Sequence, residues 1–177
     1  MSADREEAGG LHAHRRAAPR SLSVAVITVS DTRTEATDTG GAFLVGRLEG
    51  AGHRIRARRI VPDEIAAIRR AVEEALADPE VEVVLLTGGT GVAPRDVTPE
   101  AIGPLLERVV PGFGELFRVL SHREIGPAAL LSRALLGLAG GRVVAALPGS
   151  RGALRLALDE LLLPELGHLV GEARKGT

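Results

Sequence analysis

The sequence predicts an α/β fold: a parallel sheet covered on both faces by helices. Three observations predict it. Short β-branched runs alternate with stretches of helical spacing. Most of the runs are largely apolar, as strands buried on two faces are. The segments between them are long enough for crossover helices, which gives βαβ units.

In chain order, "SLSVAVITVS" from Ser21 reads as a buried strand. "TGGAFLVGRLEGAG" carries Phe43, Leu44 and Leu48 at helical spacing and closes on Gly52. "HRIRARRIV" alternates, with Ile55 and Ala57 expected inward, and suits a strand near a sheet edge. After Pro62, "DEIAAIRRAVEEALAD" sets Ile65, Ile68, Val72, Ala75 and Leu76 on one helical face. "VEVVLLT" is a further buried strand. "GFGELFRVLSHR" is a helix, "RALLGLA" and "GRVVAALP" pair as strands around Gly140-Gly141, and a closing helix starts near Arg151. There is no internal repeat. The reading is one α/β domain over residues 21–177, preceded by a charged tail over 1–20 expected to be disordered. His12, His14 and the Arg15-Arg16 pair in that tail are read as neither a metal tract nor an export signal.

Composition excludes several classes. At 177 residues, 45% hydrophobic and 25% charged, the chain suits a globular protein, and its formal charge of -1 gives no pull towards nucleic acid or an anionic membrane. With no cysteine there is no disulfide, thiolate zinc site or thiol nucleophile. No run approaches the ~20 apolar residues of a membrane span. The expected location is the cytoplasm.

Function in such sheets gathers at the carboxyl ends of the strands. Four loops fall there: "SDTRTEATDTGG", "VPDE", "TGGTGVAPRD" and "LPGSRGA". Each pairs Gly or Pro with Ser, Thr or Asp. Gly88, Gly89 and Gly91 let backbone N–H groups approach an anion, though the loop is neither a P-loop nor a dinucleotide fingerprint. Thr98, Pro99 and Glu100 read as a helix cap, a first-turn proline and a dipole-favourable acid. Asp63 and Asp38 precede helices, so each is either an N-cap or a functional acid. Asp96 stands two residues before the expected cap. Such carboxylates beside a phosphate-accommodating loop suggest Mg²⁺, which takes one or two carboxylates plus substrate phosphates. His53, His122 and His168 are scattered and form no triad.

"VITVSDTR", "DTGG", "VPDE", "LTGGTGVAPRDVTPEAI", "PGFGELFR", "LLSRA" and "LPGS" occur in this order between about Ser23 and Leu169. In this the chain resembles the MogA/MoaB family of molybdenum cofactor biosynthesis proteins, the molybdopterin adenylyltransferases. The continuation Arg151-Gly152-Ala153, where many members have proline, is closer to the MoaB branch. The resemblance implies a three-layer α/β/α sandwich around a mostly parallel sheet, assembled as a trimer or hexamer.

It also implies a reaction: the terminal phosphate of molybdopterin attacks the α-phosphate of Mg-ATP and pyrophosphate leaves. The adenylylated product would pass to a downstream molybdenum-insertion enzyme. By the motif, Asp63 and Asp96 position Mg²⁺ and the reacting phosphates. Gly88, Gly89, Thr90 and Gly91 match the loop that holds the pterin and its phosphate. Ser30, Asp31 and Asp38 match the acidic first loop, and Pro148, Gly149 and Ser150 the closing loop. Glu115, Ser121 and Ser132 are assigned to the same pocket. A non-catalytic molybdopterin carrier of the same fold is the alternative. The presence of both Asp63 and Asp96 favours the enzyme.

Overall fold

A computed structural model describes Pro19 and residues 21–175; the remainder of the expected tail, with His12, His14, Arg15 and Arg16, lies outside the described residues. Strand β1 (Ser23–Val29) is buried along its whole length. Its odd and even side chains feed different cores. Val24 and Val26 pack with Leu44, Leu48, Leu85 and Phe117, while Ala25, Ile27 and Val29 pack with Ile68, Val72, Leu86 and Ile102. Alternation in a strand with two apolar faces requires a helical layer on each side.

One layer holds α1 (Thr39–Gly50), α4 (Pro111–Ile125) and the closing helix; the other holds α2 (Ile65–Ala77) and the short α3 (Thr98–Ile102). The closing helix runs as α5 (Arg151–Leu156), a π-helical stretch (Ala157–Leu162) and α6 (Leu163–Ala173). With β2 (Arg54–Val61), β3 (Val83–Thr87), β4 (Arg108–Val109), β5 (Leu135–Ala139) and β6 (Arg142–Leu147), the sheet order is β2-β1-β3-β6-β5-β4. The expected three-layer sandwich is present. Strands β2, β1, β3 and β6 are parallel, and β5 runs against both β6 and β4. That reversal brings the start of β5 to the rim where the parallel strands end.

The edge position expected for β2 is observed, and Ile55 and Ala57 both pack inward, but on opposite faces of the sheet. The register slips between Val24 and Ala25, which pair with Ile55 and Ala57, so Arg56 is an extra residue. A bulge of this kind reverses the facing of the rest of the strand. Ile55 therefore packs on the core under α1 and Ala57 on the core under α2. On α2, Ile68 and Val72 are buried as expected, whereas Ile65, the first residue of the helix, is 41% exposed. Gly52 takes φ +88 where α1 ends, the left-handed turn expected of a helix terminator.

Candidate functional site

Asp38 opens α1. Its Oδ1 accepts the Gly41 N–H at 2.8 Å, so the capping expectation holds. The carboxylate is buried and also receives the Thr28 hydroxyl (2.9 Å) and Arg58 Nη2 (2.8 Å). Burial alone would push this carboxyl up; Arg58, the Gly41 amide and Thr28 outweigh it and hold it below the usual range. Arg58 also donates to the Asp38 carbonyl, tying the edge strand to the first loop.

Asp63 is not a cap. Glu64 takes that position, without a side-chain bond. Asp63 Oδ2 instead accepts the Asp31 N–H at 3.1 Å, and Asp31 Oδ1 accepts the Asp63 N–H at 3.0 Å. This reciprocal clasp joins the loop after β1 to the loop after β2. Burial raises the Asp63 carboxyl above its ordinary value, and the charges of Asp31 and Asp96 add to it; the clasp and Arg95 oppose the rise. Among the described residues none of these three aspartates forms an ion pair.

The glycine loop is fastened from behind. Gly88 and Gly89 have φ of +104 and +62, and a β-carbon at Gly88 would fall 2.3 Å from the Val29 carbonyl oxygen. Only glycine takes both the angle and the approach. Thr98 is not the cap of α3, a position held by Val97. Its Oγ1 donates to the Gly88 carbonyl (2.9 Å) and its N–H to Gly89 O (3.0 Å), satisfying loop acceptors that have no strand partner. Asp96 folds the next segment into a turn: its Oδ2 accepts the Ala93 N–H at 2.9 Å and its own N–H donates to Ala93 O at 2.8 Å.

Between the first, third and last of the four loops lies a hollow of about 160 Å³, lined by Thr28, Val29, Ser30, Arg33, Asp38, Thr39, Gly40, Thr87, Gly88 and Gly149. Of these, Ser30, Asp38, Gly88 and Gly149 carry a sequence assignment. Thr28, Thr87 and Arg33 do not: threonines inside β-branched strands look like strand residues. Thr87 Oγ1 donates to Pro148 O at 3.3 Å, and Ser150 caps α5 through the Ala153 N–H at 3.3 Å. Thr90 is buried and its carbonyl accepts the Arg133 N–H, which brings Ser132 beside the loop. Two assigned residues, on α4, do not line this hollow: Glu115 faces solvent, and Ser121 is buried with the Phe113–Phe117 face rather than solvated. A larger hollow of about 440 Å³ opens at the other rim, where Arg56 pairs with Glu80 and Arg174 with Glu82.

Arg133 is a further residue that sequence reasoning missed. From just before β5 its Nε donates to Gly91 O (2.6 Å), Nη2 to Asp96 O, and Nη1 pairs with Glu100. Glu100, read as a dipole-favourable acid, is held below the ordinary carboxylate range first by this Arg133 bond.

A glycine loop, an unpaired acid cluster and a polar hollow on the carboxyl rim of an α/β/α sandwich define a ligand-binding domain of the anion-holding kind. A family model described as a probable molybdopterin binding domain matches residues 25–168. Molybdenum cofactor biosynthesis protein B of Bacillus subtilis (strain 168) is 50% identical over 163 residues, 92% of this chain and 96% of that protein. Its counterpart in Staphylococcus carnosus (strain TM300) is 46% identical over 88% of this chain and 93% of its own. A crystal structure of the tungsten cofactor synthesizing protein MoaB from Pyrococcus furiosus superposes with a TM-score of 0.81 at 36% identity, covering 89% of this chain and 100% of that one. The chain belongs to the molybdenum cofactor biosynthesis protein family. Among the described residues no helix is long and apolar enough to cross a membrane.

Proposed function

We propose that this protein adenylylates molybdopterin with Mg-ATP in the cytoplasm. The observation that carries the reading is the cluster of Asp31, Asp63 and Asp96 beside the glycine loop, where burial first, and then the charges of Asp31 and Asp96, lift the Asp63 carboxyl. Carboxylates that form no salt bridge suit a divalent ion that arrives with its nucleotide. No group of three or more His, Asp or Glu is set for a metal among the described residues. The Mg²⁺ assignment therefore rests on Asp63 and Asp96 alone, as a pair of carboxylates completed by substrate phosphates.

In this reading Asp63 and Asp96 hold Mg²⁺. When bound, the ion neutralises charge on the reacting phosphates. The hollow bounded by Ser30, Thr87, Gly88 and Gly149 takes the pterin, and the glycine loop its phosphate. One oxygen of that phosphate forms a bond to the α-phosphorus of ATP. The bond from the α-phosphorus to the bridging oxygen breaks, and pyrophosphate leaves with the electron pair. The chain's part is alignment, through the clasp of Asp31 and Asp63 and the turn at Asp96. The product suits a metal-inserting enzyme as the next partner.

Incubation with molybdopterin, ATP and Mg²⁺ tests this. Adenylylated molybdopterin and pyrophosphate in equal amounts support it. Tight molybdopterin binding with no product would replace it with the carrier reading, in which the hollow works without the acids.

A further inference from the structure

We propose that Arg133 is a positioning residue that holds Asp96 in place for adenylyl transfer; the assignment rests on the transfer reading of the site. Arg133 lies 42 residues from Gly91 in sequence yet meets the Gly91–Asp96 segment at both ends. Its N–H donates to Thr90 O at 2.9 Å, its Nε to Gly91 O at 2.6 Å and its Nη2 to Asp96 O. Glu100, on α3, fixes the remaining edge of the guanidinium.

The segment has little else to hold it. The bonds between Asp96 and Ala93 are internal to the turn. Val92 is 60% exposed, so apolar packing does not seat the loop. Thr98 fastens Gly88 and Gly89, which precede the segment. Among the described residues, the hydrogen bonds from Gly91–Asp96 to other parts of the chain come from Arg133.

A guanidinium suits this task because its donors form a rigid fork that engages two carbonyls at fixed separation. A lysine ammonium at the same place keeps the charge but loses the fork. Charge-assisted bonds to both ends of a six-residue turn fix where its carboxylate stands. Misplacement of a reacting group by about 1 Å costs on the order of a hundredfold in rate.

The test uses Arg133→Lys, Asp96→Asn and the double variant in the full chain. Amide hydrogen exchange across residues 91–96 should quicken about tenfold in Arg133→Lys. Its kcat should fall about thirtyfold or more, with the molybdopterin Kd and the KM for Mg-ATP within about threefold. In the double variant the rate should equal that of Asp96→Asn alone, because Arg133 acts through Asp96. A merely structural arginine would instead lower kcat and molybdopterin affinity together, or give losses that multiply, and either result overturns the proposal. A wild-type rate in Arg133→Lys does so too. If wild-type protein binds molybdopterin but forms no product, the transfer reading fails and the catalytic role of Arg133 fails with it. Exchange at 91–96 then reports separately whether Arg133 holds the loop.

Discussion

Asp31 and Asp63 each accept the other's backbone N–H, at 3.0 and 3.1 Å respectively, so the loops after β1 and β2 share one pair of carboxylates. The arrangement sets acids close together, and the fold bears a cost for it.

That cost is measurable at Asp63. Its folded-state carboxyl lies above the ordinary value of 3.8, with burial first among the causes. Protonation therefore favours the native state. Stability from the neutral form is fully present below 3.8 and is lost as pH rises through the raised value. Asp63→Asn keeps an oxygen for the Asp31 N–H and removes the charge. Thermal unfolding at pH 7 should show Tm raised by about 2 °C, the gap closing towards acid, while adenylyl transfer falls about a hundredfold. A lowered Tm at pH 7 would contradict a cost from burying the Asp63 charge beside Asp31 and Asp96.

Asp96→Asn separates chemistry from binding. The amide can still accept the Ala93 N–H, so the turn survives. Transfer should drop about a hundredfold or more, whereas molybdopterin affinity, from the hollow and the glycine loop, should stay within about tenfold, ~1.4 kcal/mol. Product formation at the wild-type rate would remove Asp96 from the reaction.

Arg58 offers a stability test away from the reacting acids. Arg58→Met leaves the Asp38 carboxylate buried with only Thr28 and Gly41. Breaking a fully buried pair costs about 3–5 kcal/mol, and the Arg58 side chain is 32% exposed, so a loss of about 2–3 kcal/mol is expected in denaturant unfolding at pH 7. The Asp38 carboxyl is depressed in the wild type. The stability it contributes is present above 3.8 and is lost as pH falls through its lowered value, so the variant and wild type should converge in acid. A pH-independent gap would mean the loss comes from packing.

We also propose a homo-oligomer, a trimer or hexamer as in the family the sequence resembles. Leu116 and Val119 stand a helical turn apart on α4 and are 55% and 54% exposed, with Leu130 and Leu131 exposed nearby in sequence. Leu116→Asp with Val119→Asp should shift sedimentation to monomer without loss of secondary structure. A wild type that sediments as a stable monomer at micromolar concentration would refute this.

Most of the fold was legible because burial writes itself into residue type. The runs that became β1, β3 and β6 are dominated by buried apolar residues, and the four rim loops announce themselves through Gly, Pro and Asp. What was not legible depends on partners distant in sequence. Arg133 in "LLSRALL" looks like an ordinary strand flank until β5 turns back to the rim. Thr98 before Pro99-Glu100 carries the signature of a cap, and only the unpaired carbonyls of Gly88 and Gly89 explain its other use. The bulge at Arg56 leaves the alternating pattern of β2 intact while reversing its facing. Strand β4, two residues long, is too short to show a period.

The hairpin turn at Gly140-Gly141 joins β5 and β6 at the ends that point away from the rim loops. Five strand residues, about 17 Å, separate it from Arg133 and the glycine loop. The proposed site thus lies on one rim and this turn on the other. A fluorophore or surface tether placed between those two glycines would leave every loop of the site's rim untouched, so the chain could be immobilised by the opposite rim and watched as its ligands come and go.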